Sequence, residues 1–326
     1  MKDSVETMTF EESVRKRPFM YIGNDGIIGL FKELLTACIE LCNTEKITFE
    51  IIILGDNQFI LGITSQGDIN PFLQDYKNKE IINYFPTILK IVSERFEIIN
   101  KNTSKTEVHF SFDRKIITNT HIDYLELTEK ILKFALLNRQ CKIITIDKRQ
   151  KYLNQNYFHF PQGIFYLFNR TTAEVLGKPK FKLTFDGKVN SNNFQIGLAY
   201  RTDWYPTPNI ISFANNIHTI YGGSLVEGIL EGLTNACKTY FKKNNLITSQ
   251  INRKKLLNGL ILVCAVRGED FKYGGSFKET LEDAVVKRQA KKIITNLALD
   301  FFYNQKESSD QFLWRFDTTQ LTSGMY

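Results

Sequence analysis

Three kinds of residue in this 326-residue chain could carry chemistry: thiols, histidines and clustered cations. Cys38 and Cys42 lie four apart, a helical spacing that could seat a metal. No histidine stands near them and both fall on an apolar stripe, so they read as buried thiols. With Cys141, Cys237 and Cys264 they make an odd set of five, which forms no disulfide framework. That count, with no secretory leader read at the start, leads us to expect a reduced, cytoplasmic setting. His109, His121, His159 and His218 show no ligand spacing, and no metal is expected. The cations gather in three groups: Lys238, Lys242 and Lys243; Arg253, Lys254 and Lys255; and Lys287, Arg288, Lys291 and Lys292. Such groups bind phosphates without reading bases, although any single charge run is more often a solvated helix face. Aromatic residues do not interleave them, so stacking on single strands is not indicated.

Glycine adds a constraint of its own. From Asp68 through Gln162 there is not one. A turn that cradles a triphosphate needs positive φ angles and close backbone approach, and both are hard to build without glycine.

The elements that would position these residues follow from periodicity. Apolar residues at 27, 30, 31, 34, 35, 38, 41 and 42 predict a helix over Gly26 to Cys42. Ile47 to Leu54 and Gln58 to Ile63 predict strands joined by the turn Gly55-Asp56-Asn57. Helices are expected at about Thr87 to Glu94 and Ile122 to Leu137, and a strand at Lys142 to Ile146. The character changes at Phe160-Pro161-Gln162-Gly163, where we place a domain boundary. Beyond it we expect strands at Phe181 to Phe185, Phe194 to Tyr200, Ile210 to Phe213 and Leu260 to Val266. Helices are expected from Leu225 to Lys243 and from about Lys278 to Tyr303. The tail from Asn304 is polar, anchored by Phe312, Leu313, Trp314 and Phe316. Hydrophobic residues at 43% and charged residues at 24% suit a globular α/β protein rather than a disordered one, and no apolar run is long enough to span a bilayer. The net charge of +7 suits a polyanionic partner.

Four segments carry a resemblance. Val14-Arg15-Lys16-Arg17-Pro18-Phe19-Met20-Tyr21-Ile22-Gly23 is similar to V-R-K-R-P-G-M-Y-I-G of bacterial gyrase B and topoisomerase IV B subunits, and departs only at Phe19. Ser212-Phe213-Ala214-Asn215-Asn216-Ile217 with Gly222-Gly223-Ser224 resembles that family's S-F-x-N-N-I…G-G-T segment. Asn258-Gly259-Leu260-Ile261-Leu262-Val263 resembles its E-G-L-x-A-V strand. Ile146-Asp147-Lys148-Arg149 followed by Phe158 to Ile164 resembles its domain junction. The resemblance implies a GHKL (Bergerat)-like α/β sandwich over residues 1–163, a ribosomal S5-like transducer domain over 164–303 and a C-terminal tail over 304–326.

The resemblance also implies a site: a general-base glutamate, a magnesium-binding asparagine four residues on, an adenine-binding aspartate, a glycine-rich turn and a Q-T-K loop. The first-helix spacing E-x-x-x-N-x-x-D/E falls on Glu33, Ala37 and Glu40, which should share one face. Glu33 is then a vestigial base, because alanine cannot ligate a cation. Leu61 to Gly67 line up with the adenine segment, with Ile63 or Thr64 at the aspartate; Gly67 alone matches, and a register shift offers Asp68. Lys272 to Lys278 line up with the Q-T-K loop, with Ser276 in place of the glutamine, so Lys278, at a helix start, is either a vestigial phosphate-sensing lysine or a solvated surface charge.

The expectation is therefore a non-hydrolysing, pseudo-ATPase gyrase B-like module with no cofactor. It would dimerise, or pair with a topoisomerase subunit, and associate with double-stranded DNA without sequence preference. Lys238, Lys242, Lys243, Lys287, Arg288, Lys291 and Lys292 would make the contacts. At the positions where the family's helix carries arginines stand Leu230 and Asn235, with Glu227 and Glu231 nearby. Two alternatives stay open: an ATP- and magnesium-dependent type II topoisomerase of the gyrase B type with a divergent pocket, and a decoy or regulator of a cellular topoisomerase. The Toprim motifs that cut DNA in that family are not found before Tyr326.

Overall fold

Thr9 opens the first helix with a reciprocal cap: its hydroxyl accepts from Glu12 N at 3.2 Å, while Glu12 Oε2 accepts from Thr9 N at 2.8 Å. In the computed structural model, residues 8–23, 25–42, 46–65, 84–100, 104–202, 206–248, 251–275, 278–316 and 318–320 are described. The chain divides into two compact units, Met1–Pro161 and Gln162–Tyr326.

In the first unit the order is α1 (Phe10–Lys16), α2 (Pro18–Ile22), α3 (Gly26–Cys42), β1 (Ile47–Gly55), β2 (Gln58–Ser65), α4 (Phe85–Ile91), β3 (Ser93–Asn100), β4 (Lys105–Phe112), α5 (Tyr124–Leu137), β5 (Cys141–Asp147) and β6 (Asn154–Phe158). The strands form one sheet in the order β3-β4-β2-β1-β5-β6, with only β1 and β5 parallel. Alternation puts Phe49, Ile51, Phe59, Leu61, Val108 and Phe110 in the core with Leu30, Phe31 and Leu34 of α3 and Leu127 and Ile131 of α5. Phe31 sits 6.1 Å from Phe59 and 6.0 Å from Phe110 between ring centres, which fixes α3 over the sheet. The helix expected over Thr87 to Glu94 is displaced. Its cap falls at Val92, and Glu94 lies in a strand whose partner is β4.

The second unit contains α6 (Phe165–Ala173), β7 (Lys182–Val189), β8 (Asn192–Tyr200), β9 (Asn209–Ala214), β10 (Ile217–His218), α7 (Ser224–Lys243), β11 (Leu246–Thr248), α8 (Arg253–Leu257), β12 (Leu260–Arg267), β13 (Tyr273–Gly274), β14 (Thr280–Leu281), α9 (Ala284–Asn304), α10 (Lys306–Leu313) and β15 (Thr318–Gln320). Its main sheet runs β10-β9-β12-β8-β7, and β12, buried on both faces, pairs antiparallel to β8 and parallel to β9. An uninterrupted apolar strand is what a central position demands. On one face α7 and α9 cross closely because Gly228 and Gly232 carry no side chain; a Cβ there would lie 2.4 Å from Lys287 O and 2.6 Å from Lys291 O. On the other face Gly197 leaves room for the Phe168 ring of α6, which a Cβ would meet at 2.5 Å.

Two expectations fail here for local reasons. The last long helix starts at Ala284, not Lys278, because Asp283 accepts from Val285 N and Val286 N, and the residues before it are taken into the β13–β14 pair. Trp314, expected as an anchor, is 80% exposed. Phe312, Leu313 and Phe316 are buried, and the Phe312 ring stacks on Phe181 at 4.1 Å.

Candidate functional site

The first candidate lies on α3. Glu33 and Glu40 are exposed, whereas Ala37 between them is fully buried in the first-unit core. The three positions lie within one side of the helix by spacing, but only the middle one is covered. Helical spacing places Ala37 at the margin of the apolar stripe, where its methyl is covered and the two carboxylates turn outward. A methyl group offers a cation no ligand.

The second candidate, Leu61 to Ser65, is regular strand. Ile63 pairs with Phe49 on one side and Thr106 on the other, and is 3% exposed. Thr64 pairs with Thr48 and Lys105. No carboxylate stands at positions 61 to 65. Gln66, Gly67 and Asp68 lie outside the described residues.

Lys278 follows Gly275 in the hairpin that joins β13 to β14, and it adopts a positive φ of 58° rather than a helical conformation. Its ammonium group lies 5.5 Å from the centre of the Tyr273 ring. Ser276 lies outside the described residues. The hairpin is tied to α7: Leu281 N donates to Gly222 O at 3.1 Å, and Asp283 N donates to Ser224 Oγ at 2.8 Å. Gly223 takes φ 95° with the Leu281 backbone against it, so the second glycine of that Gly-Gly pair permits both the turn and the contact.

Sequence reasoning singled out Asn215 and Asn216 only as a resemblance. In the structure Asn215, at φ 52°, clamps the end of β12: its Oδ1 accepts from Gly268 N at 3.0 Å and its Nδ2 donates to Gly268 O at 3.1 Å. Asn216 Oδ1 accepts from Arg267 at 3.3 Å. The Tyr273 hydroxyl donates to Ala214 O at 3.2 Å, and burial pushes its pKa up to about 12. The Asn-Asn pair after an apolar strand was the signal, because asparagine tolerates left-handed backbone.

The seven expected DNA-contacting cations divide. Lys287 and Lys291 both donate to the carboxylate of Glu231, at 2.7 and 3.1 Å. These hydrogen bonds, Lys287 first, hold the Glu231 carboxyl below its usual range. Glu227, one turn earlier on α7, takes a bidentate pair from Arg253, both contacts at 2.8 Å. Lys243 lies 5.7 Å from the Tyr303 ring centre. Lys238, Lys242, Lys243, Arg288 and Lys292 are exposed. The expected four-residue cluster on α9 is thus two outward cations and two engaged with Glu231. Among the described residues no group of three or more His, Cys, Asp or Glu is arranged to hold a metal ion, and no helix is long and apolar enough to cross a membrane.

The DNA gyrase B family model matches residues 165–318. The DNA gyrase B protein of Streptococcus pneumoniae serotype 4 is 29% identical over 203 residues, 60% of this chain and 31% of the relative. That of Streptococcus pyogenes serotype M18 is 30% identical over 218 residues, 65% of this chain and 33% of the relative. The chain spans about a third of the length of the curated relatives it matches. Among solved structures, the gyrase B protein from Myxococcus xanthus superposes with a TM-score of 0.73 at 18% identity, covering 94% of this chain and 99% of that one. The 43K ATPase domain of Thermus thermophilus gyrase B, in complex with an aminocoumarin, gives 0.72 at 18% identity over 94% and 93%. The second unit is thus similar to the DNA gyrase B family, and the fold resembles that of solved gyrase B structures.

Proposed function

We propose that this chain is a non-hydrolysing gyrase B-type module that dimerises, or pairs with a topoisomerase subunit, and holds double-stranded DNA through its phosphates. The observation that carries the loss of hydrolysis is Ala37: fully buried, and a methyl where the resemblance puts the magnesium-binding side chain. Ile63, a core residue, stands in the same way near the adenine-binding aspartate. Glu33 and Lys278 are then remnants of the general base and the phosphate-sensing lysine, without a metal to act on. Weak DNA association is carried by the exposed Lys238, Lys242, Lys243, Arg288 and Lys292, with Lys287 and Lys291 contributing less because Glu231 occupies them. Such contacts fix position on a duplex without reading sequence.

Titration calorimetry with a non-hydrolysable ATP analogue and Mg²⁺ tests the central claim. No binding at micromolar concentration is expected. Magnesium-dependent micromolar binding would make the chain an ATP-dependent topoisomerase subunit with a divergent pocket, the reading that the exposed Glu33 favours.

A further inference from the structure

In the first unit, the β1–β2 turn, the start of α5 and the passage from β5 to β6 enclose an open cleft of ≈ 840 Å³. Three carboxylates line it, Asp56, Asp123 and Asp147, against one guanidinium, Arg149. Asp147 and Arg149 neutralise each other through two side-chain contacts of 2.9 and 2.8 Å, which leaves Asp56 and Asp123 as the net charge of the lining. This is an acidic cleft on a chain of net charge +7.

One wall of the cleft is β6, and β6 is an edge. It is the outermost strand of the sheet among the described residues, and Asn154 to Tyr157 are exposed along it. Edges are ordinarily guarded by charges, proline or bulges. The opposite edge, β3, carries Glu94, Arg95 and Glu97, and the β7 edge of the second unit carries Lys182, Asp186 and Lys188. In contrast, β6 reads Asn-Gln-Asn-Tyr-Phe, with no charge and no proline. It is also held in place: the Tyr124 hydroxyl donates to Asn154 O at 3.2 Å and accepts from Asn156 Nδ2 at 3.0 Å. Exposed apolar side chains flank it, Leu125 (73%), Leu153 (60%) and Tyr157 (57%).

We propose that β6 and this cleft form a docking site for an extended, lysine- or arginine-bearing segment of a partner protein, which adds to the first sheet as a further strand. Main-chain hydrogen bonds along β6 supply affinity, and alternate side chains meet the apolar rim and the carboxylates. The occupant is basic because Asp56 and Asp123 repel an acidic one. The same carboxylates exclude nucleic acid, so the site is independent of the DNA-binding reading.

The test uses the full chain and a fluorescein-labelled short peptide of alternating valine and lysine, read by anisotropy. We expect binding weakened about tenfold or more when glutamate replaces lysine in the peptide, and equally by Asp56→Asn with Asp123→Asn in the protein. Asparagine keeps the helix cap at position 123, so that variant remains folded. N-methylation of alternate peptide amides should abolish binding, and amides 154–158 should gain exchange protection in the complex. No binding by the cationic peptide, equal affinity of the two peptides, indifference to N-methylation, or protection appearing elsewhere would each overturn the proposal.

Discussion

Glu231 on α7 and Lys287 on α9 form an ion pair at 2.7 Å across a helix contact that Gly228 and Gly232 bring within backbone distance. The pair is half-exposed, so its worth to stability is small. Its bearing on a polyanion is larger, because the same carboxylate also holds Lys291 at 3.1 Å.

Glu231→Gln should therefore raise affinity for duplex DNA. Two cations become available, and the log–log dependence of affinity on salt should steepen by up to about 1.8, at about 0.9 per phosphate neutralised. All sequences should gain alike. Filter binding across a salt series measures it; an unchanged slope would remove Lys287 and Lys291 from the DNA-binding face.

Gly228→Ala separates packing from propensity. In an exposed helix this change stabilises by about 0.5–1 kcal/mol. Here the new methyl would lie 2.4 Å from Lys287 O and 3.0 Å from Ala290 Cβ, so α7 and α9 must move apart. A loss of about 1–3 kcal/mol is expected from urea unfolding. A gain in stability would mean the two helices are not in close contact in solution.

Much of this architecture is legible in the residues. The bounds of α3 follow from its apolar spacing, and β1 and β2 from alternation around a Gly-Asp-Asn turn. The hairpin of β3 and β4 escapes such reading because Glu94, Arg95, Glu97 and Lys105, Glu107, His109 occupy a face that is only partly covered, where charges are tolerated. There Lys105 bridges Glu50 at 2.7 Å and Glu107 at 3.5 Å. The start of α9 is misread because Lys278 to Glu282 has no helix breaker; only the cap at Asp283 and the pairing of Thr280 with Gly274 set it. At the candidate site, Glu33 and Ala37 are singled out by the resemblance, whereas the pairing of Glu231 with lysines 56 and 60 positions away is set by the α7–α9 crossing.

Asp147 offers a pH-dependent check on the cleft wall. Hydrogen bonds from Arg149 outweigh burial and hold its carboxyl below the ordinary range. A carboxyl lowered in the folded state stabilises above its unfolded value, about 3.9, and that contribution is lost as pH falls through the lower folded-state value. Asp147→Asn should cost about 1.5–3 kcal/mol at neutral pH, the range for hydrogen bonds to charged groups. The difference between the two proteins should hold between pH 7 and about 5 and close below about 4. A difference that persists unchanged at low pH would assign the effect to packing instead of charge.

The last prediction concerns α3. If Glu33 is only a surface carboxylate, Glu33→Ala should change stability by no more than about 0.5 kcal/mol and leave DNA affinity unaltered. Ala37→Asn is the informative partner. At a fully buried position the amide must lose its water, so a loss of about 1–3 kcal/mol is expected. On the proposed reading it should confer no nucleotide binding, because asparagine at position 37 supplies neither an adenine-recognising carboxylate, where the resemblance puts Ile63 or Thr64, nor a glycine turn. Calorimetry of Ala37→Asn with an ATP analogue and Mg²⁺ decides the matter. Appearance of magnesium-dependent binding would show that the remaining pocket is intact and that one buried methyl alone had silenced it.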